Sequence, residues 1–383
     1  MRAPLRVLVG SLGRGMLPDA AADPPAGTVL LDLGADHPST AGLLELGLWT
    51  EDDVVTAATV RVGAMHRGAE KLFEVRDYRQ IGMLADRHDW QAPFFGELGV
   101  AMVCEQLLGL EVPVRARWLR TLLAEHTRIL SHLGQLGFLA DRSLPRVEVR
   151  ALRERLREQT LRLTGNRVHP MVARIGGLAA DADEGWLAHE HALMADLVAL
   201  GRALEAAEGL VGLAGVAVLS RDTAAAYGVS GPAARASGIA LDLRPATPRL
   251  VYHELAELIT PTSDTAGDAA ARFRTTAHEL GESARLVQAC VDRLARLMGP
   301  VEVPLGKIVK LPEGEGYLAL EAPLGLAGYW VVSRGEKTPW RFKLRTPSFS
   351  NVAALESVLV GVPVTSLEAS LASIGYVIGD VDR

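Results

Sequence analysis

Along this chain the spacing of hydrophobic positions changes twice. Near the start, β-branched and apolar residues gather in short runs, 28–33, 43–48 and 54–62, separated by polar breaks. Such runs predict a small antiparallel sheet. A short strand comes earlier still, followed by a Pro-rich linker, PDAAADPPAG, over 18–27. From about Arg67 the texture becomes helical. The clearest case is 115–139, where Leu119, Leu122, Leu123, Leu130 and Leu133 recur at helical spacing. A second helix, 148–163, is studded with Arg and Glu and stops at Gly165; 184–210 and 267–297 are two further long ones. Strand-like stretches return at 316–321, 329–333 and 341–345, and 351–360 and 366–372 read as short closing helices. The fold class expected is mainly α, a helical-bundle core with small peripheral β-sheets. It divides into an N-terminal β region (1–65), the bundle (66–300) and a C-terminal α+β segment (301–383) packed on the core as one compact unit.

Composition narrows the choice of function. Apolar residues make up 49% of the 383 positions, enough for a continuous core, and a charged fraction of 22% excludes global disorder. The net charge of -6 is a poor basis for general nucleic-acid binding, so no nucleic-acid partner is expected. Two cysteines, Cys104 and Cys290, are too few for a disulfide framework or a four-thiolate metal site. The longest plain apolar run, 210–219, is shorter than the roughly 20 residues a bilayer span needs. No signal peptide is read at the N-terminus, so the chain is expected to be soluble, reaching a membrane only by docking on other subunits. No P-loop, HExxH, GxSxG or dinucleotide fingerprint is present; Gly10, Gly13 and Gly15 have the wrong spacing.

Several polar groups could carry chemistry. In LLAEHTRILSH, Glu125 and His132 lie seven apart on one helix face, a spacing compatible with metal ligation. Arg128 between them would oppose a metal, and a buried Glu–Arg pair with a hydrogen-bonded histidine is the preferred reading. HPSTAG (37–42) reads as a turn, MHRGAEKL (65–72) as a helix start, and DRHDW (86–90) as either a surface cap or the wall of a polar pocket. NRVHPMVARIGG (166–177) sets His169 and Arg174 beside a Gly pair that permits close backbone approach.

Taken in order, these segments resemble the D subunit of the proton-translocating NADH–quinone oxidoreductase, respiratory complex I. HPSTAG, MHRGAEKL, DRHDW, LRTLLAEHTRILSHL, LTGNRVHPMVARIGG, RASGIALDLR, GYWVVSRGEKTPWRFKLRTPSFSN and GDVDR occur in the family's order from about residue 34 to 383. The family is distantly related to the large subunit of nickel–iron hydrogenases, which holds its metals with two Cys-x-x-Cys pairs. Those positions fall near Asp89, Val377 and Asp380 here, so no metal is expected on this chain. The resemblance implies a peripheral-arm subunit on the cytoplasmic side of the cell membrane. It implies partners among the other peripheral and membrane-arm subunits, a 4Fe-4S cluster held by one of them, quinone at a shared pocket, and NAD(H) elsewhere in the complex. By carry-over, Arg67, Arg87 and His169 lie near that cluster, where cations and an imidazole would raise its potential and couple its reduction to proton uptake.

The resemblance places His37, Ala41, Asp89, Trp90, Asp141 and Tyr376 around the quinone. Here the chain departs from the family pattern. The second histidine of H-P-S-T-H-G is Ala41, the tyrosine of D-Y is Trp90, a further histidine is Arg61, and S-x-D-P is replaced by Ser373-Ile374-Gly375-Tyr376. The histidine's partner aspartate falls at Asp141 or Arg142. Alanine has no proton to give, and an indole N–H is not a useful acid near neutral pH. Two functions follow: a quinone-site subunit whose protons come from other groups, or a structural subunit without a quinone-reduction role. A soluble enzyme with its own metal is the weakest alternative, because no ligand set appears.

Overall fold

The structure, a computed structural model, describes residues 5–10, 28–31, 33, 37–143, 146–247, 250–262 and 264–383, with side chains except those of 140–147. The expected linker at 18–27 lies outside the described residues.

Four strands open the chain: β1 (Leu5–Val9), β2 (Thr28–Leu31), β3 (Leu44–Glu51) and β4 (Val54–Arg61), in the order β2-β1-β3-β4. Leu44, Leu46 and Leu48 alternate inward along β3, the period-2 signature of a sheet with one buried face. Asp52 and Asp53, both at positive φ, close the tight β3–β4 hairpin. The sheet is not wholly antiparallel, as expected, but mixed: β1 and β2 run parallel, with Val7 opposite Val29. Both arrangements give a strand the same inward alternation, so the apolar pattern does not distinguish them.

Helices follow: α1 (Ala69–Glu74), α2 (Tyr78–Ala85), α3 (Pro93–Leu108), α4 (Val114–Ser143) and α5 (Arg146–Thr164). α3 starts with proline in its first turn, ends on Gly109 in the left-handed region, and is buried through most of its length. A short β5–β6 pair (Ala173–Arg174 and Gly177–Leu178) leads to α6 (Glu184–Glu205), α7 (Arg221–Tyr227), α8 (Gly231–Arg235) and α9 (Ala269–Leu294). α9 packs between α4 and α6. Gly201 of α6 lets its backbone approach α9 at Ala277 and Gly281, where a Cβ would lie 3.0–3.2 Å from main-chain atoms. The helix expected over 184–210 stops at Glu205, and a separate 3-10 turn spans Glu208–Leu213. Gly209 and Gly212 weaken helical continuation there.

A three-stranded antiparallel sheet, β7 (Gly314–Ala322), β8 (Gly325–Ser333) and β9 (Arg341–Arg345), packs on α3, with the Tyr329 hydroxyl donating to Phe95 O at 2.8 Å. α10 (Pro347–Ala353), α11 (Leu355–Val358), α12 (Leu367–Ile374) and α13 (Ile378–Asp382) complete the order; the single helix expected over 351–360 is two short ones starting earlier, at a proline. A main core joins the bundle to the β7–β9 sheet. A second joins the N-terminal sheet to α7, α8 and the closing helices. Residues distant in sequence meet between these cores, and the polar segments of interest lie there.

Candidate functional site

The HPSTAG turn comes first. The Ser39 amide donates to His37 Nδ1 at 3.1 Å, so the ring hydrogen sits on Nε2, which donates to Glu368 O at 3.1 Å. The imidazole also meets Phe138 edge-on, with centroids 5.7 Å apart. Burial pushes the His37 pKa down to about 4. The ring is therefore neutral and both nitrogens are occupied. Ser39 Oγ donates to Tyr376 O, and Gly42 lies against Ile378 with no room for a side chain. The closing segment thus forms the back of this turn. Tyr376 itself is fully buried, and burial raises its phenol far above the ordinary range.

DRHDW supplies the second arm. The Asp89 carboxylate accepts from the Gln91 and Ala92 amides, both at 3.1 Å, at the entry to α3. Beside it, His88 Nδ1 stands 2.9 Å from Asp380 Oδ1, and Asp380 also accepts from the Ser348 amide. Burial, and then the charge of Asp380, raise the Asp89 pKa to about 7. Trp90 packs its ring over Gly379, where any Cβ would overlap the indole. A cavity of about 480 Å³ lies in front, lined by His37, Ala41 and Trp90, by Leu133, Gly134 and Gly137 of α4, and by Arg150, Arg153, Glu154 and Arg157 of α5.

Of the residues expected around the quinone, His37, Ala41 and Trp90 share this cavity. Asp89 and Tyr376 do not line it; they hold the elements behind Trp90 and the HPSTAG turn. Asp141 belongs to α4, and its side chain lies outside the described residues.

The three cluster-proximal candidates also meet. Arg87 Nε lies 2.8 Å from Asp86 Oδ1, and His169 Nδ1 lies 3.6 Å from Asp86 Oδ2. Arg67 donates to the Arg87 carbonyl at 2.9 Å, and Arg87 reaches Met171 Sδ at 3.3 Å. Met171 has φ 46, an uncommon left-handed conformation for a side-chain-bearing residue, at the point where the chain turns past Arg87. Asp86, wholly buried, is the anchor, and nothing in the motif itself marks it as such. DRHDW thus serves both places: Asp86 and Arg87 the cation cluster, Trp90 the cavity.

The LLAEHTRILSH residues have a different role. Glu125 accepts from Arg128, from Tyr252 Oη at 2.5 Å and from Ser283 Oγ at 2.6 Å, and its pKa is lowered by Arg128 and Arg244 against the opposing effect of burial. His126 lies between Glu190 and Thr160, and His132 stands 3.4 Å from Glu279. These are buried, paired polar groups that tie α4 to α5, α6 and α9. Among the described residues no group of three or more His, Cys, Asp or Glu could hold a metal ion.

A family model described as respiratory-chain NADH dehydrogenase, 49 Kd subunit, matches residues 146–309 and 305–383. The NADH-quinone oxidoreductase D subunit numbered 2 of Salinispora tropica is 45% identical over 372 residues, covering 93% of each chain. The D subunit numbered 1 of Streptomyces coelicolor is 44% identical over 367 residues, covering 93% of this chain and 95% of its own. Among solved structures, a chain of the membrane-bound sulfane sulfur reductase, an archaeal respiratory membrane complex, superposes with a TM-score of 0.83 at 30% identity, covering 91% of this chain and 96% of that one. The chain is a subunit of an oxidoreductase complex of the respiratory complex I type. It belongs to the 49 Kd subunit family of respiratory-chain NADH dehydrogenase. Among the described residues no helix is long and apolar enough to cross a membrane.

Proposed function

We propose that this chain is the peripheral-arm subunit that forms one wall of a quinone pocket, beside a 4Fe-4S cluster carried by a partner subunit, and that it couples electron transfer to proton translocation. The observation that carries this reading is the convergence of His37, Ala41 and Trp90 on one cavity, with Arg67, Arg87 and His169 gathered around Asp86 on the same DRHDW segment. The cavity is large enough for a quinone headgroup, and the indole offers a flat face and one N–H. Arg87, with a side chain 40% exposed, and the exposed Arg67 can present positive charge to a partner's cluster. In this reading the subunit sits peripherally on the cytoplasmic face of the cell membrane, against the iron–sulfur subunit and the membrane arm, with NAD(H) bound elsewhere in the complex. On this reading a hydrogenase ancestry would put its metal-holding cysteines near Asp89 and Asp380, which flank His88, and a carboxylate pair is no thiolate cage.

One observation favours the structural alternative. Neither Ala41 nor Trp90 is a useful acid, and both ring nitrogens of His37 are already engaged. The test is the double variant Ala41→His, Trp90→Tyr in the assembled complex, compared with the parent at equal assembly. A quinone site short of proton donors gains turnover toward the range of general acid assistance, about 10²–10⁴-fold. A parent already turning quinone over at typical rates, with no gain in the variant, shows the lost pair to be dispensable. Absence of quinone binding in both forms supports the structural role.

A further inference from the structure

Among the described residues the cavity lining carries more cations than acids, which a site for a neutral ring does not require. Arg150, Arg153 and Arg157 follow one another on the face of α5 that lines it. Glu154 is the one acid among the described lining residues, and its carboxylate is taken by Arg167. Among the described residues no carboxylate is within ion-pair distance of Arg153 or Arg157, although Glu154 acts on Arg153 through space, and Arg153 Nε makes no hydrogen bond. The Arg153 guanidinium lies across Gly134 of α4 beside the Gln91 amide; a Cβ at 134 would stand 3.0 Å from Nη2. Burial, and then the charge of Arg157, lower the Arg153 pKa to about 10 against the opposing charge of Glu154, so it remains protonated at neutral pH. His37, neutral, adds no charge at that pH. Two adjacent guanidinium groups drawn partly out of water, with no carboxylate between them among the described residues, are costly in the empty cavity. An ionised oxygen between them offsets that cost through charge-assisted hydrogen bonds. Trp90, its ring packed over Gly379, lines the same cavity and offers an aromatic surface.

We propose that this cavity selects an aromatic ring carrying an ionised oxygen, a hydroxyquinone-type anion held between Trp90 and the Arg153–Arg157 pair, over a neutral quinone of the same size. The proposal rests on the quinone-pocket reading and specifies its substrate class. Charge balance then comes from fixed guanidinium groups rather than from the missing histidine and tyrosine.

The experiment is equilibrium binding to the assembled complex, with 2-hydroxy-1,4-naphthoquinone as the anion and 1,4-naphthoquinone as the neutral ring. The anion is expected to bind at least about tenfold tighter, with the advantage shrinking as salt rises. Arg157→Gln should close the gap between the two ligands, and Arg157→Lys, which keeps the charge, should preserve most of it. Inorganic phosphate should compete with the anion only weakly, since it cannot use Trp90. Equal or tighter binding of the neutral ring overturns the anion proposal and leaves the quinone pocket standing. An anion preference indifferent to Arg157→Gln places the selectivity elsewhere and also overturns it. If neither ligand binds, the quinone-pocket reading fails with it.

Discussion

The cation cluster and the cavity lie at opposite ends of one five-residue motif, DRHDW, yet they are built on opposite principles. Around Asp86 a buried carboxylate draws Arg87 and His169 together, and Arg67 joins through the Arg87 carbonyl. Charge is the scaffold there, and the guanidinium ends remain near the surface. At the cavity, His37 is oriented by hydrogen bonds and held neutral by burial, Trp90 is placed by contact with a glycine, and the lone described acid is taken by Arg167. Packing is the scaffold on that side, and charge enters from α5. Replacing a charged anchor leaves its partly buried partners unpaired, whereas an alanine or a tryptophan at a cavity wall leaves the frame intact.

This contrast can be broken most sharply at Gly379. Gly379→Val would drive a branched side chain into the Trp90 ring and the His88 carbonyl. Overpacking of this kind should cost about 3 kcal/mol, read from the urea denaturation midpoint of the full chain. Unchanged stability would show that Trp90 is not positioned by this contact. The corresponding test of the cation cluster is Asp86→Asn, expected to cost about 2 kcal/mol, less than removal from a fully buried pair because Arg87 is partly exposed. A loss within a few tenths would remove Asp86 as the anchor.

The smallest effect concerns pH. The His37 pKa lies below its unfolded value, so its contribution to stability is complete above about pH 6.5 and is lost as pH falls through about 4. His37→Asn should therefore lose about 1 kcal/mol less than the parent between pH 7 and 5.5. Asp89 and Glu97 act in the opposite sense. Burial raises their pKa values to about 7 and about 8, and their contributions are lost as pH rises through those values. Taking parent and variant together at each pH isolates the histidine. Parallel curves would show that His37 is not neutralised by its setting.

The sequence made some of this legible and hid the rest for identifiable reasons. The long bundle helices declared themselves through leucines at helical spacing, and α4 and α9 lie within a few residues of the expected spans. Local motifs also marked Arg67, Arg87, His169, His37, Ala41 and Trp90. The inward-facing arginines of α5 were not legible as a site. An Arg- and Glu-studded helix has the composition of a solvated face, and only Gly134 and Gly137 of α4, lining the other side of the cavity, show that one stripe faces inward. Asp86 escaped because its partners come from its own neighbour and from a segment far along the chain. Asp89 and Tyr376 carried site motifs but serve as supports, a distinction that depends on side-chain direction rather than residue type.

The hydrogen bond from Ser39 to the Tyr376 carbonyl joins positions 337 residues apart, and the His88–Asp380 contact joins positions 292 apart. Contacts of such separation bear a large loop-closure entropy and are made after local helices have formed. The bundle can therefore acquire much of its hydrophobic core before the cavity exists. Cavity closure becomes a late event in folding, and the order of construction carries a biological consequence: a subunit with its bundle formed but its last segment undocked would already be compact, yet would present no finished pocket for a partner to build against.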